Sequence, residues 1–127
     1  MPIIFIQKKD HAKKIFSDFL KDNEYVLCFY YMNTCGHCIN FAPIWYNVIK
    51  QYEQDINVVN IEQQCLQNLE SKFQVMAFPT IILFKNGKRI LEYNQGRNEK
   101  ELNDFIHQRV LHKSQYKKTS KKNKFKE

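Results

Sequence analysis

Apolar positions along this chain of 127 residues follow two rhythms, one of period two or continuous and one of period near 3.6. Ile3 to Ile6 forms a short strand pattern. Ala12, Ile15, Phe16, Phe19 and Leu20 recur at i, i+3, i+4, i+7 and i+8, the stripe of an amphipathic helix, and Asp10 is its candidate cap. Tyr25 to Tyr31 is almost unbroken in apolar and aromatic residues, as expected of a strand covered on both faces. A helical pattern then runs through Ile39, Phe41, Ala42, Ile44, Trp45, Val48, Ile49 and Tyr52 to about Gln54, with a kink expected at Pro43. Ile56 to Ile61 predicts another buried strand, and Cys65, Leu66, Leu69 and Phe73 a short helix. After a loop at Val75 to Pro79, Thr80 to Phe84 and Arg89 to Tyr93 flank Asn86-Gly87, the strongest two-residue hairpin signal. Gly96 breaks the chain, Asn98 is a candidate cap, and Leu102, Phe105, Ile106, Val110 and Leu111 stripe a last helix. The order βαβαβαββα predicts one α/β domain, a central mixed sheet flanked by helices on both faces.

Composition adds boundaries. With 43% apolar and 14% aromatic residues the chain is globular in character, and no run of about 18 apolar residues is present to span a membrane. The N-terminus shows no secretory pattern, so a cytoplasmic, reducing compartment is expected, where paired cysteines are more often catalytic or metal-binding than structural. The net charge of +7 is unevenly spread, because residues 113–127 hold seven lysines against Glu127 alone. The expected division is a folded domain over 1–112 and a basic, disordered tail over 113–127. Such a tail suits an anionic partner, nucleic acid or a membrane surface, or is a solubilising end with no partner.

The candidate chemistry lies at Thr34-Cys35-Gly36-His37-Cys38, where the second strand gives way to the second helix. That junction puts Cys35 at a helix N-terminus, whose free N–H groups and dipole favour a thiolate. Cys38 follows one turn later on the same face, within reach for a disulfide. Three readings fit the pair itself: a dithiol that opens and closes, a structural disulfide, or half of a zinc site. Zinc needs two more ligands at finger-like spacing, whereas Cys28, Cys65, His11, His107 and His112 are scattered, so no metal is expected. Cys28 reads as an inert buried thiol. Cys65 reads either as packing or as a surface thiol for cross-linking or regulation.

With its neighbours in register, the motif resembles the thioredoxin superfamily, and Cys35-Gly36-His37-Cys38 is similar to a protein disulfide isomerase active site. The resemblance covers roughly residues 3–110. Pro43 stands five residues after Cys38, as the family's helix-kinking proline does. Phe78-Pro79-Thr80 resembles the family's cis-proline loop, Phe84-Lys85-Asn86-Gly87 its hairpin, and Gly96 its glycine before the final helix. Phe41-Ala42-Pro43-Ile44-Trp45 is closer to the isomerase branch than to ordinary thioredoxins.

The resemblance implies a thioredoxin fold and a thiol–disulfide oxidoreductase without a bound cofactor, forming, reducing or isomerising disulfides in protein substrates. Cys35 would attack, Cys38 would resolve, and the two would form the redox-active disulfide, with Gly36 and His37 between them. His37 would favour the Cys35 thiolate and so an oxidising dithiol. Thioredoxins stand near about −270 mV and isomerases near about −180 mV. Candidate substrate contacts are Phe78, a cis Pro79, the backbone of Ala77, Tyr31, Thr34 and Trp45. Thr34 replaces the family's tryptophan before the first cysteine. The family's buried carboxylate and facing lysine map to Phe29 and Val58, both apolar.

Implied partners are proteins with thiols or disulfides and a redox partner, namely a thiol oxidase, a reductase or glutathione, acting on a monomer. Two other readings stand beside this one: a thioredoxin-like reductase, and a non-catalytic adaptor that binds through the basic tail. An isomerase-like motif without a leader is reconciled either by a cytosolic disulfide-forming system of the kind large DNA viruses use or by a lumenal protein trimmed at its N-terminus.

Overall fold

The computed structural model describes residues 2–111; the tail at 113–127 and His112 lie outside the described residues. Five strands form one sheet: β1 (Ile3–Ile6), β2 (Tyr25–Tyr31), β3 (Val58–Glu62), β4 (Thr80–Lys85) and β5 (Lys88–Glu92). Their spatial order is β1-β3-β2-β4-β5. β3 lies parallel to both β1 and β2, whereas β4 is antiparallel to β2 and to β5. The sheet is therefore mixed, as the alternation of elements required. The β4–β5 turn has Asn86 at φ 51° and Gly87 at φ 77°, the two positive values that a tight hairpin needs.

Central position explains the unbroken apolar run of β2. Leu27, Phe29 and Tyr31 face one core, shared with α2 (Gly36–Lys50), α3 (Glu99–Phe105) and a π-type turn over Ile106–Leu111. Val26, Cys28 and Tyr30 face the other, shared with α1 (Ala12–Asp22) and the segments around Cys65, Leu66 and Phe73. Helices thus cover both faces, and the dithiol belongs to the α2 side.

Several local expectations are corrected. Asp10 does not cap α1; His11 occupies that position at φ 61° with no side-chain capping bond, and the chain enters the helix through a backbone turn, Ala12 N–H donating to Lys9 O at 3.1 Å. α2 runs through Pro43 but ends at Lys50, with turns over 51–55, and β3 starts at Val58 rather than Ile56. Residues 63–73 are two short 3-10 turns, Gln63–Asn68 and Ser71–Phe73, because Leu69 and Glu70 between them are extended. Asn98 does cap α3, its side-chain oxygen accepting the Glu101 N–H at 2.9 Å.

Candidate active site

β2 delivers the chain to the C-terminal end of the sheet, and Met32, Asn33 and Thr34 turn it into α2. Cys35 sits at the N-cap with extended backbone (φ −87°, ψ 124°). Its N–H donates to Met32 O at 3.1 Å, and its carbonyl accepts the Ile39 N–H at 3.0 Å, so both ends of the residue are tied. Cys35 is partly exposed, whereas Cys38 is 3% exposed. Both are free thiols.

The two sulfurs are shifted in opposite directions. The N–H of Cys38 acts first on Cys35, then the Cys38 thiol, then the N–H of His37 and the charge of Arg97; together they hold the Cys35 thiol below its ordinary value. Burial dominates at Cys38 and pushes its thiol up to about 11, with the neighbouring Cys35 adding to the rise. Cys38 Sγ accepts the Met32 N–H at 3.4 Å, and Cys35 Sγ donates to Phe78 O at 3.7 Å. A partly exposed thiol of lowered pKa beside a buried one of raised pKa is an arrangement in which one sulfur can attack while the other waits.

The Phe78–Pro79 peptide is cis and stands against Cys35. Ala77 and Pro79 line a cleft of about 300 Å³ with Tyr93, Gln95 and Arg97. The Ala77 carbonyl accepts the Thr80 hydroxyl at 2.7 Å. Thr34 is exposed immediately before Cys35, and Met76, on the same loop as Ala77, is 99% exposed. His37 is exposed and lines a smaller hollow of about 120 Å³ with Asn40, Phe41, Ile44 and Arg97; it acts on Cys35 through its backbone N–H. Gly36 opens α2 with nothing within 4 Å of where a side chain would begin, so no steric demand for glycine exists there.

Two of the expected substrate contacts are placed elsewhere. Trp45 is fully buried and Tyr31 is 7% exposed. Phe29 stacks between them, 4.7 Å from the Trp45 ring and 5.6 Å from that of Tyr31. Both aromatics are core of the α2 side and cannot present a face to a substrate. Cys65 is likewise fully buried, which removes the reading of a surface thiol. Cys28 is buried, and burial raises its thiol. Among the described residues no group of three or more His, Cys, Asp and Glu is placed to hold a metal ion.

The register also corrects the pair expected at Phe29 and Val58. Val58 lies opposite Leu27, and the partner of Phe29 on β3 is Asn60. Asn60 is fully buried; its Oδ1 accepts the Trp45 Nε1–H at 2.7 Å and its Nδ2 donates to Ile4 O at 3.1 Å. The pair is thus apolar and amide, not apolar twice, and neither member carries a charge. Arg97 lines both hollows and lowers the Cys35 thiol, and the sequence reading passed over it. Its one signal was a cation directly after Gly96. Only the fold brings the β5–α3 connection back to the dithiol.

A family model described as Thioredoxin matches residues 7–108. Protein disulfide-isomerase 1 of Caenorhabditis elegans is 33% identical over 94 residues, 72% of this chain and 19% of that protein. Protein disulfide-isomerase A4 of Homo sapiens is 33% identical over 90 residues, 68% of this chain and 14% of that protein. The chain therefore spans less than a fifth of these relatives' length. Among solved structures, the J-Trx1 fragment of ERdj5 aligns with a TM-score of 0.67 at 21% identity, over 84% of this chain and 51% of that one. The oxidised thioredoxin from Plasmodium falciparum aligns with a TM-score of 0.66 at 20% identity, over 84% and 96%. These two share the fold.

Proposed function

This chain belongs to the thioredoxin family, and we propose that it works there as a thiol–disulfide oxidoreductase of the protein disulfide isomerase type, exchanging disulfides with protein substrates through Cys35 and Cys38. The observation that carries this reading is the opposed pair of thiols, Cys35 reachable and acidified at a helix N-terminus, Cys38 enclosed and pushed up to about 11.

The reaction follows from that asymmetry. The Cys35 thiolate attacks one sulfur of a substrate disulfide; the S–S bond breaks, and the other substrate sulfur leaves as a thiolate and takes up a proton. Cys38 then gives up its proton and attacks Cys35 Sγ. The mixed disulfide breaks, the substrate leaves reduced by two electrons, and Cys35–Cys38 is left as a disulfide. Run backwards, the same steps oxidise a substrate dithiol. An extended substrate segment lying along Ala77, Phe78 and Pro79 brings its sulfur to Cys35, beside the cleft that ends at Arg97. The open space over Gly36 and the exposed Thr34 leave the approach unobstructed. His37 is exposed and lines the neighbouring hollow with Arg97, and its backbone N–H and the Arg97 charge favour the thiolate, which makes the disulfide a better oxidant.

Likeness to proteins named disulfide isomerases supports the isomerase type. A second reading, a thioredoxin-like reductase, is favoured by the family model described as Thioredoxin, which matches residues 7–108. Equilibration of Cys35–Cys38 with glutathione separates them. A potential near about −180 mV supports the isomerase type, and one near about −270 mV or below transfers the chain to the reductase reading. If Cys35→Ser leaves disulfide reduction and formation unchanged, both fail and a non-catalytic adaptor remains.

A further inference from the structure

We propose that Glu62 is a positioning residue for the dithiol: its buried carboxylate ties the loop after β2 to the turn after β3, and so fixes the stretch of backbone from which both cysteines are held. The inference rests on the oxidoreductase reading.

Glu62 ends β3 and pairs in register with Tyr31, the last residue of β2. It is 3% exposed, and enclosing a carboxylate is costly unless both oxygens find donors. They do so on two different segments. Oε1 accepts the Gln64 N–H at 2.8 Å, which caps the turn after β3. Oε2 accepts the Asn33 N–H at 3.4 Å, in the loop that leads to Cys35. The residue before Asn33 makes the connection to chemistry. Met32 donates its N–H to Cys38 Sγ and accepts the Cys35 N–H on its carbonyl. Successive N–H groups in this stretch thus serve a sulfur and then a carboxylate, so loosening Asn33 loosens the peptide unit whose carbonyl takes the Cys35 N–H, next to the one whose N–H serves Cys38 Sγ.

The type of side chain matters. A carboxylate presents two acceptor oxygens and no donor, so it can take both N–H groups at once. Glutamine has one acceptor oxygen, and its amide would aim a donor at one of the two N–H groups. Through-space charge predicts the opposite outcome, because removing a negative group near the site would make the Cys35 thiolate easier to form.

The test is the pH profile of Cys35 alkylation by iodoacetamide, measured on the full chain with thermal unfolding alongside. The wild-type chain must first show Cys35 reacting faster at pH 7 than an unperturbed thiol; if it does not, the oxidoreductase reading fails before Glu62 is examined. Given that, Glu62→Gln is expected to slow alkylation at pH 7 roughly tenfold and to move the midpoint upward, the scale of one hydrogen bond to a charged group. An unchanged or faster rate overturns the proposal. Tyr52→Phe removes a hydrogen bond to Asn103 between the turn after α2 and α3, away from the loop. It should lower the melting temperature without moving the profile, and an equal slowing there would reduce Glu62 to general stability and overturn the proposal. Should Glu62→Gln fail to fold, Asn33→Pro deletes the one donor at issue and leaves Glu62 with Gln64. The same slowing supports the proposal, and an unmoved profile overturns it.

Discussion

Cys38 differs from Cys35 by three positions and by the sign of its shift, and in the proposed exchange that difference sets the order of events. On that proposal the Cys35 thiol, held below its ordinary value of 9.0, supplies the attacking thiolate at neutral pH, while Cys38, pushed up to about 11 by burial, stays protonated. The resolving step needs the Cys38 thiolate, whose fraction falls about tenfold for each pH unit below its pKa. Neither Phe29 nor Asn60, the facing pair on β2 and β3, carries a charge to accept the proton. Release of a chromophoric thiol held on Cys35 as a mixed disulfide should therefore speed up about tenfold per unit between pH 6 and 9. A rate that levels off below pH 8 would reveal a dedicated base and refute this account. In the free reduced chain at pH 7, alkylation should reach Cys35 well before Cys38, Cys28 and Cys65, all three buried with raised thiols.

At the scale of elements, the most informative contact joins three of them. Asn60 on β3 binds the Trp45 indole on α2 and the Ile4 carbonyl on edge strand β1. Asn60→Ala leaves a buried donor, the Trp45 indole, and a part-buried acceptor, the Ile4 carbonyl, without their partner and should destabilise the fold by about 2–4 kcal/mol. Trp45 is the only tryptophan, so its emission follows the change directly, and a loss below about 1 kcal/mol would mean that water or a neighbour satisfies those groups. This contact also marks where sequence reading stopped. Strands and helices followed from hydrophobic rhythm because β2 is central and α1, α2 and α3 each bury one stripe. The hairpin followed from Asn86-Gly87 because few other residues accept two positive φ values. Strand register did not follow, since β3 is buried along its whole length and β2 along nearly all of its own, and nothing local states which residue faces Phe29. The turns over 63–73 carry a helix-like spacing, but the Gln74 side chain, bonded to Leu66 O and Leu69 O, and the Glu62 cap hold them as two pieces. Such side-chain-to-backbone bonds leave no trace in periodicity. The dithiol was legible because its chemistry is local, whereas Arg97 and Glu62 are brought to it from the β5–α3 connection and the end of β3.

For the molecule as a whole, the same groups that tune Cys35 couple the redox state to stability. The backbone N–H groups of residues 37 and 38 and the Arg97 charge converge on Cys35 only when the chain is folded. A thiol whose folded pKa is depressed adds stability that is fully present above its unfolded value, near 9.0, and is lost as pH falls through the folded value. Cys38 works the other way: its raised pKa adds stability that is present below 9.0 and is lost as pH rises through about 11. Both contributions vanish once the two sulfurs are joined, because a disulfide does not titrate. The shifted thiols of Cys28 and Cys65 and the buried tyrosines remain in both redox forms, so they cancel in a comparison. The melting temperature of the reduced chain minus that of the oxidised chain should therefore rise with pH from the folded pKa of Cys35 to about pH 9, then fall toward pH 11. Calorimetry of the two forms at matched pH measures this directly. A difference that stays flat between pH 5 and 9 would mean that folding does not stabilise the Cys35 thiolate, and the case for an oxidising dithiol would go with it. A peaked difference would tie the potential to the fold, each 30 mV by which folding raises it corresponding to about 1.4 kcal/mol of extra stability in the reduced chain.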